Sequence, residues 1–254
     1  MPISAKLLYP KFPFRHISRS RFEKDKMSTA TNPDPGLSAP AFIPLEANPE
    51  LMTSLLRKLG LSSALQVHDV YSITEPELLA FIPRPALALL LVFPVSATYE
   101  SSRLAEDAGV PEYTGKGPDE PVMWWKQTIR NACGLMGLLH AVSNGPAKGF
   151  IALRPPRENA SPRNRAPRSR EPRTDRRARR QDDVDLHYVC FVKTDDGTLW
   201  ELDGRRKGPI ARGQLAADED VLSDKALLWG PLKFLERGGG DMRFSCVALA
   251  GSLD

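Results

Sequence analysis

Read for where its apolar residues fall, the chain resolves into short elements from residue 44 onward. Leu51, Met52, Leu55, Leu56 and Leu59 recur at helical spacing and predict one buried stripe. Asn48 stands as the N-cap of that helix, Pro49 at its first position and Gly60 at its stop. Val67 to Ile73 reads as a short strand and Pro76 to Phe81 as one or two helical turns. Every residue from Ala86 to Phe93 is apolar, the pattern of a strand buried on both faces. Glu100 to Ala108 reads as helix and Gly109 to Pro121 as loop. From Leu135 to Val142 the chain is apolar at nearly every position, so a helix there is buried all round. Leu186 to Val192 and Leu199 to Asp203 flank Asp195-Asp196-Gly197, a strong hairpin signal. Asp218 to Leu235 reads as one helix, Gly238-Gly239-Gly240 as a turn, and Arg243 to Leu249 as a closing strand.

The buried helix opens with Asn131-Ala132-Cys133-Gly134. A thiol in a first turn sits beside unpaired backbone N–H groups and the positive end of the helix dipole, which favours thiolate. The same N–H groups suit an oxyanion forming on a carbonyl attacked by that sulfur. Gln127, 6 positions upstream, offers an amide as a second donor. The histidine of the helix is too far away to act as base. His140 lies 7 positions on, two turns or roughly 10 Å from Cys133, and reads as a packed core residue. The hairpin supplies the missing groups, His187 as base and Asp203 to orient it.

That pairing sets a condition on the turn. A two-residue Asp196-Gly197 loop puts His187 and Asp203 on opposite faces of the sheet. A three-residue Asp195-Asp196-Gly197 loop pairs Asp203 with Val189 and makes it a same-face diagonal neighbour of His187. The longer loop, with Gly197 at a left-handed position, is therefore expected. A metal site on His187 and Cys190 is the competing reading, but at 3 positions apart on a strand they face opposite ways. Cys190 and Cys246 read as small buried strand residues, and Met123-Trp124-Trp125 as a hydrophobic wall.

Composition narrows the class. Three cysteines in 254 residues argue against a disulfide framework and for a reducing compartment. The longest apolar run is too short for a bilayer, which needs about 20 residues. The net charge of +4 hides an uneven distribution. Residues 1–26 carry +5 and residues 150–180 carry +8, so the remainder is at −9. An acidic body steers towards cationic partners rather than nucleic acid. Residues 1–43 are expected to be a basic, Pro-rich extension, either a transit peptide or an over-extended start ahead of Met27. Residues 153–181 are rich in Arg and Pro and have no hydrophobic period, so coil is expected there. A disordered insert, an RNA-binding or nuclear-import tract, and a shifted reading frame are the three readings of that stretch, the last preferred.

The segments Asn48-Pro49-Glu50, Lys126-Gln127-Thr128-Ile129, Asn131-Ala132-Cys133-Gly134, Leu138-Leu139-His140-Ala141, Leu186-His187-Tyr188 and Glu201-Leu202-Asp203-Gly204-Arg205 resemble, in order, the ubiquitin C-terminal hydrolase family of papain-like cysteine peptidases. The resemblance spans residues 44–149 and 182–250. It implies an α/β (α+β) papain-like fold, a central antiparallel sheet flanked by helices, in a catalytic domain over 44–254. It also implies Cys133 as nucleophile, His187 as base, Asp203 as orienting acid, Gln127 as oxyanion donor and Asn131 as a substrate-binding residue. The substrates implied are small adducts, peptides or thioesters at the C-terminal glycine of ubiquitin, whose basic tail suits an acidic groove. A cofactor-free, monomeric enzyme, cytoplasmic and also nuclear, is expected. A catalytically impaired ubiquitin-binding protein and another papain-like thiol acyltransferase are the alternatives. Two features depart from the family: the Arg/Pro-rich stretch, and one extra residue in the hairpin between His187 and Asp203.

Overall fold

A computed structural model of the chain describes residues 42, 44–115, 117, 119–152, 186–237 and 244–253. The N-terminal extension apart from Phe42, the 153–181 stretch and the Gly238–Gly240 turn expected from sequence lie outside the described residues. Six strands, β1 (Leu65–Val70), β2 (Ala88–Pro94), β3 (Leu186–Lys193), β4 (Thr198–Leu202), β5 (Ile210–Gln214) and β6 (Ser245–Gly251), form one sheet in the order β1-β6-β2-β3-β4-β5. Every pairing is antiparallel. The family's central antiparallel sheet flanked by helices is thus the architecture observed.

The uninterrupted apolar run becomes β2, buried at all of its positions and paired with β3 on one side and β6 on the other. Its alternate residues feed two cores. Leu89, Leu91 and Phe93 pack with Tyr99, Leu227 and Phe234. Leu90 and Val92 pack with Met52, Leu56, Leu138 and Tyr188. Helices therefore cover both faces. Met52 and Leu56 belong to α1 (Pro49–Lys58) and Leu138 to α4 (Cys133–Ser143), while Tyr99 belongs to α3 (Ala97–Asp107) on the other side. A four-residue α2 (Pro76–Leu79) and a 3-10 turn at Gly145–Phe150 fill the edges.

Helix α1 is capped as expected, Asn48 accepting from the Leu51 N–H at 3.0 Å. Its buried face is narrower than the stripe predicted, since Leu51 and Leu59 are exposed and only Met52 and Leu56 are fully enclosed. The single helix expected over 218–235 is two, α5 (Asp224–Trp229) and α6 (Pro231–Arg237). Pro231 has no N–H to continue α5, and Gly230 leaves the helical region there. Ahead of α5, Asp220 accepts from Arg84, Ala86 N and Leu222 N, which fixes a turn instead of a helix start. Strand β5, an edge strand containing Gly213 and Arg212, has no alternating pattern to announce it.

Candidate active site

Cys133 is the first residue of α4, and that helix has no side-chain cap. The Met136 N–H is the one that closes the first turn, onto Ala132 O at 2.9 Å, so the N–H groups before it remain for a ligand. Cys133 is 9% exposed, and its Sγ lies 3.6 Å from the Leu186 carbonyl. Leu186 begins β3, so the thiol meets that strand one residue before His187.

His187 is buried, and its Nε2 lies 2.8 Å from Asp203 Oδ1. Nδ1 is the nitrogen left for Cys133. Asp203 Oδ1 also accepts from the Arg205 N–H at 2.8 Å, and Oδ2 accepts from Tyr99 Oη at 3.0 Å. Burial works against charge on both members of this pair, but the pairing wins. The Asp203 charge, its hydrogen bond and the Cys133 sulfur outweigh desolvation and push His187 up to about 9. Desolvation likewise opposes the Asp203 carboxylate, and His187 with its other donors pulls it down to about 2. The phenol of Tyr99 is held far above its usual range, first by burial and then by the neighbouring carboxylate. Phe93 meets the His187 ring edge-on at 5.8 Å, walling it from the core side.

The hairpin takes the longer loop. Cys190 pairs with Leu202 and Lys193 with Leu199, the register that a three-residue turn generates. The Thr194 N–H donates to Thr198 O, closing the loop, and Gly197 sits at φ 85°. A Cβ there would stand 2.9 Å from Leu215 O, so both conformation and space ask for glycine. The three-residue loop is what puts His187 and Asp203 on one face.

Gln127 is anchored to the same region. Its backbone N–H donates to Gly204 O at 2.8 Å, and its Nε2 donates to Ile129 O at 3.0 Å. The Ala132 N–H also donates to Ile129 O, so the Gln127 amide adjoins the residue preceding Cys133. That approach depends on Gly204, where a Cβ would lie 3.0 Å from the Gln127 Cβ. Asn131 adopts φ 59°, and its amide donates to Phe42 O at 3.2 Å, fastening the chain entering the domain. His140 is a core residue as expected. Tyr99 is the site residue that sequence reasoning missed, because nothing in its spacing from Asp203, 104 positions away, signals the contact.

No group of three or more His, Cys, Asp or Glu able to hold a metal occurs among the described residues. Cys190 and Cys246 are enclosed strand residues, and burial pushes the Cys246 thiol up to about 12 and Cys190 higher still. Also among the described residues, no helix is long and apolar enough to cross a membrane.

The family model described as ubiquitin carboxyl-terminal hydrolase, family 1, matches residues 42–158 and 151–228. The chain belongs to this family. As a ubiquitin carboxyl-terminal hydrolase it is a cysteine peptidase by family. It is 35% identical over 223 residues to ubiquitin carboxyl-terminal hydrolase isozyme L1 of Rattus norvegicus, covering 81% of this chain and 96% of the relative. The Homo sapiens isozyme L1 matches at the same identity and coverage. Among solved structures, the Trichinella spiralis UCH37 catalytic domain bound to ubiquitin vinyl methyl ester shares the fold with a TM-score of 0.53 at 18% identity, covering 86% of this chain and 97% of that one. A second structure of the same protein with that ligand gives 0.51 at 19% identity, covering 82% and 81%.

Proposed function

We propose that this hydrolase cleaves small adducts, peptides or thioesters from the C-terminal glycine of ubiquitin, with Cys133, His187, Asp203 and Gln127 as its working set. Cys133 gives its proton to His187, and the thiolate attacks the carbonyl carbon of the last ubiquitin residue. Charge gathers on the carbonyl oxygen, where the uncapped N–H groups of α4 and the second hydrogen of the Gln127 amide stabilise it. His187 then returns its proton to the leaving group, and an acyl-thioester remains on Cys133. Water, deprotonated by the same imidazole, releases ubiquitin. Asp203 keeps the ring oriented and offsets its charge without taking the proton. The observation that carries this reading is the hydrogen-bonded His187–Asp203 pair set against the thiol at an uncapped helix start. The excess of acidic residues over the body of the chain suits the basic tail of ubiquitin.

The test is labelling by ubiquitin vinyl methyl ester, followed by peptide mapping. One adduct on Cys133 is expected, with Cys133→Ala unlabelled and inactive on ubiquitin carrying a C-terminal fluorogenic amide, yet still binding ubiquitin. Adduct formation elsewhere, or full turnover by Cys133→Ala, overturns the reading. Ubiquitin affinity without turnover in the wild-type chain would instead make it a binding protein. Transfer of the acyl group to an amine in preference to water would make it an acyltransferase.

A further inference from the structure

Helix α4 does more than present Cys133. His140 follows it at 7 positions, two turns on along the same helix face, and Asn144 stands just past the helix end as its C-cap. Both distal residues grip the segment that leads to Gln127. Asn144 Oδ1 accepts from the Met123 N–H at 2.7 Å, and its Nδ2 donates to Met123 O at 2.9 Å. One side chain thus bonds both polar groups of that residue's backbone. His140 Nε2 accepts from the Trp125 N–H at 3.0 Å, and its ring stacks on the Trp125 indole, 5.6 Å between centroids and 9° from parallel. Two residues later Gln127 presents its amide beside Ala132.

Because the Trp125 N–H is a donor, His140 Nε2 must be the acceptor, and the ring proton lies on Nδ1. That Nδ1 is buried without a hydrogen-bond partner, a penalty an apolar side chain would avoid. Packing alone therefore disfavours histidine, and the acceptor at Nε2 is what histidine adds. Burial holds the ring down at about 4, with Asp203 pulling weakly the other way, so the acceptor persists at neutral pH.

We infer that His140 and Asn144 are positioning residues that fix where the Gln127 amide stands relative to Cys133, so that one helix sets both nucleophile and oxyanion donor. This rests on the oxyanion reading of Gln127 given above. Cys133 stands at the start of this rigid helix and the 123–125 segment is tied to its later turns and C-cap, so a shift of the 123–127 segment would move the donor without disturbing the thiol.

The experiment compares acyl transfer with alkylation. Turnover of a C-terminal fluorogenic ubiquitin amide needs an oxyanion site, whereas alkylation of Cys133 by iodoacetamide needs only the thiolate. His140→Phe keeps the stacked ring and removes the acceptor. It is expected to lower kcat about tenfold or more while leaving KM and the pH profile of alkylation unchanged, since loss of a whole donor costs about 10²–10³. His140→Gln, whose amide oxygen can accept the Trp125 N–H, should recover most of that loss. In a Gln127→Ala background, His140→Phe should cause no further decrease, because both act on one interaction. Independent, multiplying losses, or slowed alkylation, overturn the inference. An impaired Gln127→Ala beside an unaffected His140→Phe overturns it alone, while an unaffected Gln127→Ala overturns it together with the oxyanion reading. Should His140→Phe fail to fold, Asn144→Asp, which keeps the acceptor and loses both donated bonds, takes its place in the same measurements.

Discussion

Tyr99 Oη donates to Asp203 Oδ2 at 3.0 Å, reaching from the first turn of α3 to the end of β4. The Asp203 carboxylate thereby has both oxygens occupied, and its plane is fixed relative to the His187 ring. Tyr99→Phe removes one donor to a buried charge, an interaction of about 1.5–3 kcal/mol. Urea denaturation should register a loss of that size, and kcat should fall less than in His187→Ala. An unchanged kcat would mean that His187 and the Arg205 N–H orient Asp203 unaided.

Two of the buried histidines, His187 and His140, respond to pH in opposite directions. His187 has a folded pKa of about 9, above the unfolded value of about 6.5, so its stabilisation is complete below pH 6.5 and is lost as pH rises through 9. His140 has a folded pKa of about 4, so below pH 6.5 the unfolded chain binds a proton that the folded one refuses. Stability from this pair should peak around pH 6.5 and decline on both sides. Urea midpoints at pH 5, 6.5 and 9.5 check it. His187→Gln should flatten the alkaline side and His140→Gln the acid side. A wild-type profile flat from 6.5 to 9.5 would contradict the ion-paired state of His187.

Gly197→Ala puts a Cβ against Leu215 O at a positive φ. A cost of about 1–2 kcal/mol is expected from the backbone alone. Because the turn lies at the far end of the hairpin from His187, the kcat of the folded fraction should not change. A fall in kcat at full folding would show that strain in the turn is relieved by slipping the register.

Arg206 sits buried between three carboxylates, donating to Glu106 at 2.7 Å and Asp107 at 2.9 Å and lying 3.6 Å from Glu201. Removing the cation leaves Glu201, itself 1% exposed, with Arg212 alone. Arg206→Met should therefore cost about 3–5 kcal/mol, as expected for breaking a buried pair on one side. The double variant Arg206→Met/Glu201→Met should lose less than the single one. Thermal and urea unfolding of the two decide, and equal losses would show that the network acts through packing rather than charge.

The parts legible in the sequence were those whose cause is local. Asn48 and Pro49 announce α1, the unbroken run from Ala86 announces a strand covered on both faces, and Asp195-Asp196-Gly197 fixes a register. The alternation rule then sufficed to put His187 and Asp203 on one face. What escaped notice was tertiary in origin. The Tyr99 contact spans 104 positions, and β5 forms because β4 offers an edge rather than because Ile210–Gln214 alternates. Asp220 overrides the helical reading of its segment through contacts with Arg84 and Ala86, 136 and 134 positions upstream. Leu51 and Leu59 keep helical spacing yet face outward, because α1 is covered along a stripe narrower than its apolar face.

The place of β6 carries a consequence for synthesis. This strand, the last of the six in sequence order, inserts between β1 and β2 and pairs with both, Leu249 meeting Val67 on one side and Ala88 on the other. Until it arrives, two strands formed long before it each present an unsatisfied edge, and the sheet exists as separate pieces. Loop closure over such separations is slow. A nascent chain therefore cannot complete its sheet until Ser245–Gly251 has emerged from the ribosome. A product ending short of Ser245 carries the Cys133 helix and the His187 hairpin without the strand that joins β1 to β2, and it exposes strand edges open to aggregation.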